Sequence, residues 1–232
     1  MLRIGHRGAA GWEPQNTWLS FKHAISLACD IIETDIRICG TGEAVLIHDA
    51  KIKDSSGKTH AVGTLSLTEL RTFNLGKNQR IMTLDNLLTK IPGGVNLNLE
   101  LKSVGSALLA ARILRKAILE SNWTSENFTI TSFNHPELLI FKNELPEIRI
   151  GALIKSVMVD PCRYLDALGI SLIVTSLEFV TKKMVADLHS SGKIVYIYTV
   201  DEPEDIKSMF DMKVDGIISN YPDRITFNSP SC

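Results

Sequence analysis

Short apolar runs and amphipathic segments alternate along almost the whole chain, and this alternation constrains the fold more than any other feature of the sequence. Strands that alternate with helices predict a parallel sheet whose strands are joined by helical crossovers. Crossover-linked strands are predicted to begin near residues 2, 31, 95, 128, 149, 171, 194 and 215. Eight parallel strands are the number that closes a barrel, so the sequence predicts an α/β fold, a single (β/α)8 TIM barrel.

One segment departs from this alternation, directly after the second predicted strand. Residues 31–39 and 44–48 both have the pattern of strands, and only Gly40-Thr41-Gly42 separates them. A parallel crossover needs a dozen or more residues, so we predict a small antiparallel hairpin that leaves the barrel at this point. Residues 54–63 are polar and are expected to be irregular.

Composition and charge exclude several classes of partner. The 25 basic and 26 acidic residues nearly cancel, and no basic stretch with interleaved aromatic residues is present, so no nucleic-acid partner is expected. No run reaches the roughly 18 to 20 apolar residues that cross a bilayer, and the first residues lack the pattern of a signal peptide. No linker rich in Pro, Gly or Ser interrupts residues 1–232, which predicts one domain, either monomeric or homo-oligomeric.

The four cysteines are scattered along the chain and form no C-x-x-C motif. Most of their neighbours are apolar, which is typical of buried free thiols in a reducing compartment, and a cytoplasmic location is expected. The cysteines are Cys29, Cys39, Cys162 and Cys232.

Acidic side chains recur at a spacing of two on neighbouring barrel strands. Glu33 and Asp35 point to the same face of one predicted strand, and Glu100 and Lys102 repeat the spacing on the next. Three carboxylates together are expensive to bury unless a hard divalent cation neutralises them. Salt bridges to Lys102 and Arg7 are the alternative. Since stability alone gives no reason to line a barrel mouth with acids, we favour the metal site.

Two histidines stand at the ends of different apolar runs, each beside a charged neighbour. His6 and His48 have unperturbed pKa values near neutrality, so as a pair they suit general base and general acid catalysis. Metal ligation is the alternative, but carboxylate-rich sites suit Mg²⁺ or Ca²⁺, which do not seek imidazole. Arg7 and Lys102 add positive charge to a site predicted to hold a cation, which indicates an anionic substrate such as a phosphate ester.

These motifs, in this order, resemble the glycerophosphodiester phosphodiesterase family over nearly the whole chain. The chain departs from the family pattern at Gln15, where the family usually has Glu, and at Tyr198, where it usually has Trp. The matching motifs are His6-Arg7-Gly8, Pro14-Gln15-Asn16-Thr17, Glu33-Thr34-Asp35, His48-Asp49, Glu100-Leu101-Lys102, Ser132-Phe133, Tyr198-Thr199-Val200-Asp201 and Asp215-Gly216-Ile217-Ile218.

The resemblance implies a hydrolase of glycerol and lipid metabolism that cleaves glycerophosphodiesters, such as glycerophosphocholine or glycerophosphoethanolamine, to an alcohol and glycerol 3-phosphate. One divalent cation is implied, Mg²⁺ or Ca²⁺, with Mn²⁺ also compatible. The implied roles are cation binding by Glu33, Asp35 and Glu100, acid–base catalysis by His6 and His48, phosphate binding by Arg7 and Lys102, and contact with the glycerol by Phe133 and Tyr198.

Three alternatives are compatible with the same barrel and phosphate site, two of them enzymes and one a binding protein. A lysophospholipase D-type enzyme would act on lysophospholipids and would carry an apolar rim beside the pocket. A lyase-like branch would form cyclic phosphates, with the substrate's own hydroxyl rather than water as nucleophile. A catalytically idle barrel that binds a phosphorylated ligand is the third, and it predicts the loss of a histidine or an acid, none of which is missing here.

Overall fold

Eight parallel strands close into a barrel in the computed structural model, which describes residues 1–226. The first strand pairs with the second and also with the last, which completes the ring. The (β/α)8 prediction is therefore confirmed. In chain order the strands are β1 (Leu2–Gly5), β2 (Ile31–Ile38), β3 (Ala44–Leu46), β4 (Lys51–Lys53), β5 (Thr59–Ala61), β6 (Asn96–Leu101), β7 (Phe128–Ser132), β8 (Arg149–Ile154), β9 (Leu172–Ser176), β10 (Ile194–Tyr198) and β11 (Gly216–Ser219).

Strands β3, β4 and β5 lie outside the ring and form the excursion that follows β2. β3 pairs antiparallel with β2, as the short Gly40–Gly42 connection predicts. β4 and β5 form a separate antiparallel ribbon, so the expectation of irregular structure over 54–63 holds for the turn at 54–58 and is wrong from Thr59 onward. The Asp54 carboxylate accepts from the backbone N–H groups of Ser56 and Lys58, which stabilises the turn between the two strands. Each strand has only three residues, too few to show a period of two.

Helices pack around the outside of the barrel between consecutive strands. The longest, α4, has 15 residues, and none of the described helices has both the length and the apolar composition of a membrane-spanning helix. The helices are α1 (Trp18–Ser26), α2 (Leu67–Leu70), α3 (Leu84–Lys90), α4 (Ser106–Glu120), α5 (His135–Glu144), α6 (Pro161–Leu168), α7 (Lys182–Ser190) and α8 (Pro203–Met212).

The barrel interior is divided into an apolar side and a polar side. Tyr196 is fully buried within the apolar cluster of β1, β8–β11 and the first residue of β2. Gly216 leaves room for its ring, since a Cβ there would lie 2.7 Å from Tyr196 Cδ1. On the other side, the register of β2 with β6 places Glu33 beside Asn98 and Asp35 beside Glu100. The fold thus concentrates its buried acids at one wall.

The cysteines that the structure describes are free thiols. Cys39 is buried, and Cys29 and Cys162 are half-buried. These positions agree with the predicted absence of a disulfide framework for this part of the chain. Cys232 lies outside the described residues.

Candidate active site

A cavity of about 290 Å³ opens at the carboxyl ends of the barrel strands, the face at which enzymes of this architecture carry their chemistry. It contains eight of the nine predicted site residues in its lining, and the ninth, Asp35, is buried against the same wall. The lining consists of His6, Arg7, Glu33, His48, Asn98, Glu100, Lys102, Thr131, Phe133, Leu153, Lys155, Tyr198, Thr199 and Ile218.

Three carboxylates form a buried cluster at the polar wall. Glu33, Asp35 and Glu100 each offer an oxygen that lies within 4.8 Å of the other two. Burial together with the charges of Asp35 and Glu100 raises the pKa of Glu33. Burial, with the charge of Asp35, also raises the pKa of Glu100 to about 7, although Lys102 opposes the change. The three acids therefore repel one another in the protein alone.

Two cationic side chains lie against this cluster. Lys102 Nζ lies 2.6 Å from Glu100 Oε1 and 3.3 Å from Asp35 Oδ1, and Arg7 Nε lies 3.3 Å from Asp35 Oδ2. Burial would raise the pKa of Asp35, but Lys102 and Arg7 outweigh that effect and hold the pKa below its ordinary value. The predicted salt-bridge alternative is thus present in part, with three acids facing two cations.

The cluster fits a divalent cation. Within residues 1–226, Asp35 Oδ1 and Glu100 Oε1 are buried and have no regular hydrogen bond, and the two oxygens share the Lys102 ammonium at 3.3 and 2.6 Å. Oxygen atoms that are buried and left without a hydrogen bond are costly unless another ligand satisfies them. Carboxylate oxygens at this spacing are the ligands that a hard cation prefers. Glu33, Asp35 and Glu100 could therefore hold one divalent ion.

The two predicted histidines reach the cavity from different parts of the chain. His6 follows β1 and is surrounded by protein on the side away from the cavity. Its Nδ1 lies 2.8 Å from Asn220 Oδ1, and burial, with the charge of Arg7, lowers its pKa to about 4. His48 follows β3, and its Nδ1 lies 2.7 Å from Asp49 Oδ1. Burial lowers the pKa of His48 despite the Asp49 carboxylate.

Local backbone structure explains how these groups come together. The Arg7 backbone N–H donates to Glu33 Oε2 at 2.7 Å, which ties the turn after β1 to the acid cluster. Gly8 has a φ of +84° and packs on α1, where a Cβ would lie 2.2 Å from Ser20 Oγ, so only glycine fits. Arg37 Nε donates to the His48 carbonyl at 2.7 Å and holds the excursion against the barrel.

Two aromatic residues form part of the cavity wall. The Phe133 and Tyr198 rings meet edge to face with centroids 6.1 Å apart, and Lys102 Nζ lies 5.7 Å from the Phe133 centroid. Arg7 Nη1 donates to Gln15 Oε1, so the residue that departs from the family pattern contacts a predicted phosphate ligand. Glu13 lies apart from this contact and pairs with Lys77 at 2.8 Å.

The sequence analysis did not predict several polar residues that belong to the site. Asn98 and Thr131 line the cavity beside Glu100, and Lys155 lies at its rim after β8. Asn98 stands two residues before Glu100, so the same period of two could have identified it. Lys155 and Asn220 follow strands singly, and no spacing in the sequence distinguishes them from loop residues.

Comparison with known proteins identifies the family. A sequence model of the Glycerophosphoryl diester phosphodiesterase family matches residues 6–224. A glycerophosphodiester phosphodiesterase of Caldanaerobacter subterraneus is 30% identical over 97% of this chain and 96% of its own. The corresponding protein of Bacillus altitudinis is 26% identical over 95% of both chains.

Solved structures show the same fold. An Oleispira antarctica phosphodiesterase, solved in complex with the product sn-glycerol-3-phosphate, superposes with a TM-score of 0.87 at 24% identity, covering 96% of this chain and 94% of the other. The family match extends over almost the entire described chain and includes every predicted site residue. The chain belongs to the glycerophosphoryl diester phosphodiesterase family.

Proposed function

We propose that this protein hydrolyses glycerophosphodiesters, such as glycerophosphocholine or glycerophosphoethanolamine, to an alcohol and glycerol 3-phosphate. The observation that carries the proposal is the convergence in one cavity of three buried carboxylates, two cationic side chains and two histidines. Family membership supports the diester as substrate, and the Oleispira relative binds the glycerol 3-phosphate that this reaction would release.

The acid cluster is proposed to hold one divalent cation, Mg²⁺ or Ca²⁺ with Mn²⁺ also suited, through Glu33, Asp35 and Glu100. When bound, such an ion stabilises negative charge on a phosphoryl oxygen. Arg7 and Lys102 are proposed to bind the phosphate, because both line the cavity and, together with a divalent ion, their charges exceed those of the three acids. Phe133 and Tyr198 offer an apolar wall against which the carbons of the glycerol pack.

The two histidines are proposed to move the protons. The attacking oxygen forms the new P–O bond while its proton passes to one imidazole. The P–O bond to the leaving alcohol breaks with its electron pair on the alcohol oxygen, which takes a proton from the other imidazole. Water as nucleophile gives hydrolysis, whereas the substrate's own glycerol hydroxyl gives a cyclic phosphate.

The test is release of glycerol 3-phosphate from both diesters by purified protein, with and without a chelator. The wild type is expected to release it in a cation-dependent manner. Glu100→Gln and His48→Asn should lower kcat by roughly 10²- to 10⁴-fold. Glu147 and His23 lie outside the cavity, so Glu147→Gln and His23→Asn should leave kcat unchanged. No release with any of the three cations would refute the proposal, and a cyclic product would replace hydrolysis with cyclisation.

A lysophospholipase D-type activity is a second candidate, and one observation favours it. Exposed apolar side chains stand on the three adjacent loops that follow β6, β7 and β8: Val104 is 82% exposed, Phe133 44%, Val157 78% and Val159 105%. Exposed apolar groups around a cavity mouth are typical of a surface that meets lipid.

The two candidates differ in how the rim affects activity. If lysophospholipids are substrates, the double variant V157S/V159S should lower kcat/KM on lysophosphatidylcholine while leaving that on glycerophosphocholine unchanged. Leu119→Ser is the matched control, because Leu119 is 78% exposed near the carboxyl end of α4, away from the mouth. Equal effects on both substrates would exclude a lipid-specific role for the rim.

A further inference from the structure

Two polar residues beyond the predicted site, Asp201 and Asn220, form a hydrogen-bonded chain that ends on His6. Asp201 follows β10 and Asn220 follows β11; β10 pairs with β11, and β11 pairs with β1, the strand that His6 follows. Asn220 Oδ1 lies 2.8 Å from His6 Nδ1, and Asn220 Nδ2 donates to Asp201 Oδ2 at 2.7 Å. The network therefore joins three consecutive strands of the ring behind the imidazole.

Asp201 is itself held by other donors. Its Oδ1 accepts from the Asn220 backbone N–H at 2.8 Å and from Ser219 Oγ at 2.9 Å. The Asp201 carbonyl accepts from Arg224 Nη1 at 2.8 Å. With both carboxylate oxygens and the backbone engaged, the orientation of Asp201 is fixed.

The polarity of this chain determines the protonation of the imidazole. A carboxylate only accepts hydrogen bonds, so the Asn220 amide NH₂ group must face Asp201 and its carbonyl must face His6. A carbonyl also only accepts, so His6 Nδ1 must carry the hydrogen. A neutral imidazole has one N–H, and Nε2 is therefore left with a free lone pair.

We propose that Asn220 and Asp201 are positioning residues that hold His6 in the Nδ1-protonated tautomer, so that Nε2 accepts the proton of the attacking oxygen. His6 lines the cavity and Asn220 does not, so the Nε2 edge of the ring is the one that faces the substrate. His48 is then left as the acid, and it must carry a proton on both nitrogens for this role, because its Nδ1–H faces the Asp49 carboxylate. The catalytic consequence rests on the proposed phosphodiesterase function, whereas the tautomer depends on the hydrogen bonds alone.

This hydrogen-bonded network predicts that Asp201→Asn moves the His6 imidazole hydrogen from Nδ1 to Nε2. The backbone N–H of Asn220 needs an acceptor, so it fixes the carbonyl of the new amide at Oδ1, and the amide NH₂ takes the place of Oδ2. That NH₂ group faces the Asn220 NH₂ group, so Asn220 must flip and present its NH₂ group to His6. Nδ1 must then accept, the hydrogen moves to Nε2, and the lone pair no longer faces the substrate.

The double variant D201N/N220D should restore the original arrangement. The carboxylate at position 220 accepts from His6 Nδ1–H on one side and from the amide at position 201 on the other. Asn220→Asp alone would place two carboxylates in contact and is expected to be impaired. A purely structural role predicts instead that the losses and the rescue follow the melting temperature, with the imidazole hydrogen on Nδ1 in every variant.

Two readouts test the proposal in the full chain. Long-range ¹H–¹⁵N spectra of the imidazole in cation-free protein should show Nδ1–H for the wild type and the double variant, and Nε2–H for Asp201→Asn. With glycerophosphocholine as substrate, Asp201→Asn should lower kcat by about 10²- to 10⁴-fold with little change in KM, and the double variant should recover most of the loss.

Each outcome distinguishes this proposal from the proposed function. An Nε2–H tautomer in the wild type, or Nδ1–H with wild-type kcat in Asp201→Asn, overturns the positioning role. A double variant that melts like wild type but stays as slow as Asp201→Asn overturns it as well. If the wild type cleaves no diester, the proposed function fails, and the spectra still decide the tautomer.

Discussion

Asn16 holds the central carboxylate of the acid cluster in place. Its side-chain NH₂ group donates to Asp35 Oδ2 at 2.8 Å, and its carbonyl accepts from the Thr34 hydroxyl at 2.7 Å, all in the buried interior. Replacement by an apolar residue of similar size leaves both partners buried without a hydrogen bond. The cluster geometry thus depends on a residue that is neither an acid nor a cation.

Asn16→Leu should therefore destabilise the protein. We expect the free energy of unfolding in urea to fall by about 1–3 kcal/mol for the buried polar groups left unsatisfied, and further because leucine is strained at the Asn16 φ of +56°. Asn86→Leu is the exposed control, because the Asn86 side chain only accepts from Arg71. Equal stability of the two variants would show that Asp35 finds another donor.

The Cys29 thiol should be unreactive in the folded protein. Burial raises the pKa of Cys29 to about 12, so the thiol remains protonated far above neutral pH, and the thiolate is the form that alkylates. At pH 8 we expect iodoacetamide to modify Cys29 roughly 10³-fold more slowly in native than in unfolded protein. Peptide mass spectrometry over time measures this ratio, and equal rates in the two states would contradict the prediction.

The site residues that the sequence revealed share a local cause. Glu33, Asp35 and Glu100 could be predicted because a spacing of two on a strand fixes a common face, and neighbouring parallel strands end at one edge. Asn220 could not be predicted in this way, because its hydrogen bond to His6 depends on the contact between the ends of β11 and β1, which are distant in sequence. Such a contact has no local signature.

At the scale of elements, a residue of α5 caps the amino end of α4. Gly105 precedes the helix and has no side chain to cap it. The buried Glu137 carboxylate instead accepts from the backbone N–H groups of Gly105 and Ala107, each at 2.9 Å. Negative charge at a helix amino end is favourable, so this contact joins two helices that pack against each other outside the barrel.

Glu137→Gln should lower the free energy of unfolding by about 1–3 kcal/mol, since a buried hydrogen bond to a charged group is lost and an NH₂ group faces a backbone N–H. Glu144→Gln on the same helix is the control. Its ion pair with Arg115 is about half exposed, so we expect a change below about 1 kcal/mol. Urea unfolding of both variants at pH 7 gives the comparison, and equal losses would argue against a capping role.

Among the elements, the eight barrel strands could be predicted from the sequence and the β4–β5 ribbon could not. The alternation of strands and helices revealed the eight barrel strands because each has a buried, apolar stretch flanked by turn residues. The β4–β5 ribbon lacks that signal, since Lys51, Lys53 and Thr59 are exposed polar residues in strands of three. Its pairing depends on the side-chain hydrogen bonds of Asp54 rather than on an apolar face.

At the scale of the whole molecule, the barrel places its charged cluster where stability and function oppose each other. The apolar side of the interior stabilises the ring by burial, whereas the polar side gathers three acids against two cations. Without a divalent ion, ionising all three acids would leave an excess of buried negative charge, which raises the pKa of Glu33 and Glu100 and is unfavourable for folding. A cation bound only by the folded barrel would reverse that balance.

Thermal unfolding with and without divalent ion tests this balance. At a free concentration near 100 Kd, the cation should add about 2.7 kcal/mol to the stability of the wild type, a rise in Tm of roughly 5–10 °C. Glu100→Gln leaves two acids facing two cations, so its cation-free Tm should exceed that of the wild type, and the added ion should raise it little. Glu147→Gln should behave as the wild type in both conditions. If instead Glu100→Gln lowers the cation-free Tm, the ion pair with Lys102 outweighs the repulsion among the acids, and the cluster contributes to folding without any ion.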